Sequence, residues 1–162
     1  MKIAVLSDIH DNIWNLARVM PQAASADLLL FLGDFCAPFT LKQMADGFSG
    51  PIHWVPGNND GDPLLLAGIG AAAGNVSHYN PIGVLDLDGH RIAFTHYPEV
   101  AEGLVATGTY RAVFSGHTHV FRQERTGPTL WVNPGEVMGR FGEPSFGFYD
   151  TASGDFTRVL LA

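Results

Sequence analysis

The chain of 162 residues has one cysteine, Cys36. An internal disulfide is therefore excluded, and a lone thiol fits a reducing compartment. Cations are scarce: Lys plus Arg number 9 against 16 Asp plus Glu, a formal charge of −7. Duplex-binding proteins carry a basic face, and these cations are spread too thinly to form one, so stable nucleic-acid binding is not expected. A small phosphate substrate is not excluded, because a bare acid count overstates the negative field where acids hold divalent cations. No apolar run approaches the roughly 18–20 residues that cross a bilayer, so no membrane association is expected. The first apolar segment is too short for a signal-peptide core and lacks a small-residue cleavage site. These readings together place the chain in the cytoplasm. Repeats and low-complexity tracts are missing as well.

What remains is a globular composition, 46% apolar. Its length suits one domain, residues 1–162. Lys2–Leu6, Asp27–Leu32 and Pro51–Val55 read as buried strands. Ile13, Leu16, Ala17 and Met20 recur at helical spacing, capped by Asp11 or Asn12 and ended by Pro21. Further helices fall within Pro38–Phe48 and Pro63–Ile69, and the Ala-Gly segment Gly68–Gly74 reads as loose chain. From residue 76 the texture changes. Val84–Leu87 and Arg91–Thr95 form a hairpin over Asp88-Gly89. Glu99–Ala106 is a helix. Arg111–Phe114, Val120–Arg125, Thr129–Val132, Ser145–Tyr149 and Phe156–Leu161 are short strands. Alternation early and strands late predict two mixed sheets packed face to face, with helices outside.

Chemistry-bearing residues stand where strands stop. Five strands in turn end at Asp8/His10, Asp34, Asn58, His96 and His117/His119. Ligands collect at the carboxyl ends of strands in α/β sheets. Each residue alone has a plain structural role: Asp8 a helix cap, Asp34 and Asn58 turn residues, His96 a packed histidine. Jointly they form a set of oxygen and nitrogen donors suited to manganese, iron, zinc or nickel.

Asp8-x-His10, Gly33-Asp34, Gly57-Asn58-Asn59-Asp60, His96 and Gly116-His117-Thr118-His119 resemble the motifs of calcineurin-like metallophosphoesterases. The small size and Asn133-Pro134-Gly135 are similar to their compact prokaryotic phosphodiesterase branch. The resemblance implies a four-layer αββα sandwich and two divalent metal ions, manganese first, with iron, nickel or zinc as alternatives. It assigns Asp8, His10, Asp34 and His119 to one ion. Asp34, Asn58, His96 and His117 go to the other, with Asp34 as the bridge. A hydroxide between ions about 3.5–4 Å apart would then attack phosphorus in line. Asp34, Asn58, Asn59 and His117 are the expected catalytic residues, acting on a small phosphate ester.

Three positions depart from the family pattern. Asn59 stands where many members have histidine, and an amide donates a hydrogen bond but delivers no proton. That favours diesters with good leaving groups over a general phosphomonoesterase. Tyr97 replaces a common glycine and narrows the cleft. Glu136 follows Asn133-Pro134-Gly135 in place of a small hydroxyl residue, and the sequence offers no account of it. Cys36 reads as a small buried residue rather than a catalytic thiol, and His53 as a packed histidine within its strand. His78 and His90 read as solvated loop residues. Trp14, Trp54 and Trp131 read as core, although Trp14 could edge the cleft. Arg140 and Phe141 could reach a substrate phosphate and base.

The competing class is a protein-binding scaffold of the same fold, similar to a retromer subunit, in which some metal ligands are altered. The complete ligand set here favours an enzyme. A nuclease is disfavoured by the absent basic face. The sequence is compatible with a homo-oligomer.

Overall fold

The structure, a computed structural model, describes residues 1–161. The first half alternates as expected: β1 (Lys2–Leu6), α1 (Ile13–Ala23), β2 (Leu28–Phe31), α2 (Pro38–Gly47), β3 (Ile52–Trp54), α3 (Pro63–Ala73) and β4 (Val76–His78). Then come β5 (Ile82–Leu87), β6 (His90–Thr95), α4 (Pro98–Ala106), β7 (Ala112–Phe114), β8 (Arg122–Thr126), β9 (Thr129–Asn133), β10 (Ser145–Asp150) and β11 (Asp155–Leu160). One sheet has the order β11-β10-β1-β2-β3-β4 and the other β5-β6-β7-β9-β8. Strands β1 to β4 run parallel, as do β6, β7 and β9, while β5, β8, β10 and β11 pair antiparallel with their neighbours.

Burial shows why the strands read as unbroken apolar runs. In β2, Leu28 and Leu30 face the second sheet, where they meet Phe94 and Phe114. Leu29 and Phe31 face the other way, onto Leu16 of α1 and Leu41 of α2. A strand covered on both faces has no polar side to show. Helix α4 covers the far face of the second sheet through Ala101 and Val105 against Ala93, Val113 and Trp131. The three apolar layers between four layers of structure are the αββα sandwich expected. No described helix is long and apolar enough to cross a membrane.

Several local expectations are corrected. Helix α1 runs through Pro21 to Ala23. Proline removes one N–H near the helix end, and Ala24 N still closes the last turn on Met20 O at 3.0 Å. The buried stripe of α1 is Leu16, Val19, Met20 and Ala23, whereas Ile13 and Ala17 face solvent. Asn12 is its cap, accepting from Asn15 N at 3.0 Å. The Ala-Gly segment is not loose: α3 continues to Ala73 and stops at Gly74, whose φ of +76° suits glycine. Alanine's high helix propensity outweighs the two glycines. His78 and His90 lie in strands rather than loops, and His78 stacks on Trp54 at 4.5 Å. Trp14 is 74% exposed and is not core, while Trp54 and Trp131 are buried.

Candidate metal centre

The loops after β1, β2, β3, β6 and β7 converge at one edge where the two sheets meet. His96, directly after β6, donates its Nδ1–H to Leu32 O beyond β2 at 2.7 Å. His117 N, beyond β7, donates to Asp8 Oδ2 at 3.1 Å. Both bonds join one sheet to the other. Close approach fixes two glycines: a Cβ at Gly57 would strike Asp34 Oδ1, and one at Gly116 would strike Ser7 Oγ. Asp8, His10, Asp34, His117 and His119 all have positive φ, between +43° and +69°. Non-glycine residues adopt that conformation at a cost of about 1–3 kcal/mol each, and such strain clusters at functional sites.

All seven residues predicted as ligands meet here. Asp34 Oδ2 lies 3.4 Å from His10 Nε2 and 3.6 Å from His96 Nε2. Asp8 Oδ1 lies 3.5 Å from His119 Nε2 and 3.8 Å from His10 Nε2. His96 Nε2 is 3.2 Å from both Asn58 Oδ1 and His117 Nδ1. Two overlapping donor groups result, Asp8–His10–His119 and Asp8–Asp34–His96, each with its ligand atoms within 4.8 Å of one another.

The donor set fits divalent cations on grounds visible in the chain. Asp8 and Asp34 are 0% and 1% exposed, and among the described residues neither pairs with a lysine or arginine. Buried carboxylates without a counter-charge are costly. Asp8 Oδ1 and His10 Nε2 are buried with no hydrogen-bond partner. Imidazoles that hold metals commonly spend the outer N–H on an acceptor, and His96 does so on Leu32 O. His119 does the same, placing Nδ1 2.7 Å from Glu136 Oε2. The Asp8 carboxylate, then the Asp34 and Asp60 charges, raise the proton affinity of His10 above the ordinary imidazole value, against its burial. Burial and nearby acids push the Cys36 thiol up to about 12. It therefore stays a thiol at neutral pH; contrary to expectation it is only partly buried, with its Sγ 3.4 Å from His10 Nδ1.

Asn59 donates from its backbone N to Asp34 Oδ1 and from Nδ2 to Asp34 Oδ2, both at 2.8 Å. Its amide thus grips the carboxylate expected to bridge. Tyr97 lies against the site, its ring 5.1 Å from His96 and 5.7 Å from His117.

Sequence reasoning assigned no role to two further acids. Asp60 accepts from four backbone N–H groups: Phe35 at 2.6 Å and Cys36 at 3.2 Å on Oδ1, Gly57 at 2.8 Å and Asp34 at 3.1 Å on Oδ2. It holds the β2 and β3 loops in register. Glu136, 1% exposed, binds His119 with Oε2 and accepts from Phe141 N at 2.6 Å and Gly142 N at 2.9 Å with Oε1. The only signal in sequence was an acid between Gly135 and Val137-Met138.

The chain belongs to the calcineurin-like phosphoesterase superfamily, whose domain profile matches residues 1–154. It is 27% identical to a curated phosphodiesterase of Methanocaldococcus jannaschii, the alignment covering 99% of each protein. A solved archaeal phosphodiesterase, also 27% identical, superposes with a TM-score of 0.90 over 99% of this chain and 100% of that one. The Entamoeba histolytica protein Vps29 shares the fold, with a TM-score of 0.69 over 100% of both chains at 16% identity.

Proposed function

We propose that this chain is a phosphodiesterase that works with two divalent ions, manganese first and iron, nickel or zinc as alternatives. Asp8, His10, Asp34 and His119 hold one ion; Asp34, Asn58, His96 and His117 hold the other. The observation that carries the reading is Asp34 Oδ2, set 3.4 Å from His10 Nε2 and 3.6 Å from His96 Nε2, within reach of one histidine from each proposed ligand set. The phosphodiesterase character of the relatives named above supports the diester as substrate.

When bound, such ions supply Lewis acidity toward phosphoryl oxygens and a nucleophile drawn from water. The chain's own residues do the rest. Among the seven proposed ligands only Asp8 and Asp34 carry charge, so two divalent ions would leave that ligand shell net positive and attractive to a phosphate anion. Asn59 fixes both oxygens of Asp34 and thereby its orientation. Asn58 Oδ1 and His117 Nδ1 each lie 3.2 Å from His96 Nε2, and the Tyr97 ring lies against His96 and His117. Hydrolysis adds water across one P–O ester bond, giving a phosphomonoester and an alcohol. Asn59 delivers no proton to the departing oxygen, so leaving groups stable as anions are favoured. The protein acts as one domain, in the cytoplasm, where a single free thiol is at home. A scaffold role is disfavoured by the complete donor set.

Purified protein stripped with chelator and reloaded with manganese tests this. Two ions per chain and turnover of bis(p-nitrophenyl) phosphate, lost on stripping, are expected. One ion at saturation overturns the dinuclear site, and metal-independent turnover overturns the mechanism.

A further inference from the structure

Beside His119 the surface opens into a cavity of about 340 Å³, within the range of small-ligand pockets, about 300–1,000 Å³. Besides His119 it is lined by Val120, Phe121, Phe141, Gly142 and Glu143, and by Arg158 of β11. Phe141 and Val120 are 71% and 66% exposed, an apolar face left open beside a polar site. Phe141 is nonetheless fixed in place. Glu136 holds its backbone N–H, and its ring meets the His119 ring edge to face at 5.2 Å. Arg140, which the sequence suggested as a partner for substrate, lies 5.6 Å from the Phe141 ring and does not line the cavity. The cation that does is Arg158. Its guanidinium rests 4.6 Å from the Phe121 ring, and its Nε is buried without a partner.

We propose that this cavity is the subsite for the ester group that stays on phosphorus, and that it selects a flat aromatic or heteroaromatic ring bearing an acceptor oxygen. His119 belongs both to the metal centre and to the cavity wall, so a phosphate held at the centre directs one ester group into it. Phe141 and Phe121 offer apolar contact to a ring. Arg158 lines the same cavity, and its guanidinium offers charged N–H donors to an oxygen at the ring's edge. The proposal rests on the phosphodiesterase reading. An aryl ester and a nucleoside ester present this same chemistry.

Four diesters with the same nitrophenolate leaving group test it: methyl, phenyl, p-nitrophenyl and thymidine-5′ p-nitrophenyl phosphate. Comparing wild type with variants cancels each ester's intrinsic reactivity. Phe141→Ala should lower kcat/KM for the three ring esters about tenfold more than for the methyl ester. Arg158→Met should lower the p-nitrophenyl and thymidine esters, which carry acceptor oxygens, more than the phenyl ester. The larger loss between those two identifies an aryl or a nucleoside occupant. Equal losses across all esters in either variant overturn the subsite. If no diester is turned over, the phosphodiesterase reading fails by itself, and calorimetry decides the cavity. Phenylphosphonate should then bind manganese-loaded wild type about tenfold tighter than methylphosphonate, a ratio that collapses in Phe141→Ala. Equal affinities in wild type overturn the proposal.

Discussion

Asp60 carries the sharpest stability prediction. Its two carboxylate oxygens take two backbone N–H groups each, from Phe35 and Cys36 and from Gly57 and Asp34. A hydrogen bond contributes about 1 kcal/mol net, and more when the acceptor is charged. Four of them set the scale for Asp60→Ala at about 4 kcal/mol, before any N–H regains water. Asp60→Asn keeps one oxygen and its two bonds. The new NH2 group faces the other two donors, so at least half of that loss, about 2 kcal/mol, should remain. The assay is urea unfolding of chelator-treated protein, which keeps metal linkage out of the comparison. Midpoints should fall in the order wild type, Asn, Ala, with unchanged slopes. Were both variants within about 0.5 kcal/mol of wild type, the scale of an ordinary surface substitution, the four bonds would not be what holds these loops. The same variants should lose metal affinity, because Asp34 is carried on the loop Asp60 fixes.

Four further outcomes are expected. Asp34→Asn should bind neither ion, read by elemental analysis after manganese loading, since it removes the charge both ions would share; retention of both would show that Asp34 is not the bridge. Glu136→Gln should weaken metal binding about 10–100-fold, the usual effect of losing a carboxylate behind a histidine ligand, and speed hydrogen exchange at Phe141 and Gly142; unchanged calorimetric affinity would exclude that role. Asn59→His should raise turnover of alkyl esters relative to nitrophenyl esters, toward the 10²–10⁴-fold typical of general acid catalysis, about two to four decades; a constant ratio would mean Asn59 does not set leaving-group preference. Burial holds the His53 imidazole, 3.0 Å from the Tyr79 hydroxyl, below its ordinary pKa. The unfolded chain then binds the proton more readily, so stability present above about pH 6.5 is lost as pH falls below it. His53→Leu should flatten that part of the urea-midpoint profile, and an identical acid slope in both proteins would refute the assignment.

The sequence by itself determined the sandwich and which residues gather at the candidate metal centre. Doubly buried strands leave continuous apolar runs such as Leu28–Phe31, and loops at their ends have little reason to hold His and Asp together unless chemistry requires it. Those signals are local, so they survive in one dimension. Helix ends were less legible. Pro21 near a terminus costs little, and Ala-rich chain with two glycines sits near the balance between helix and coil. The residues that hold the site in place were not legible at all. Asp60 gathers N–H groups from Asp34 to Gly57, and Glu136 joins His119 to Phe141 across 17 and 5 residues. Backbone donors look alike in every sequence, and only the folded chain decides which acid they meet. The cavity between His119 and Arg158 likewise exists because β11 lies at the edge of one sheet and the histidine loop leaves the other.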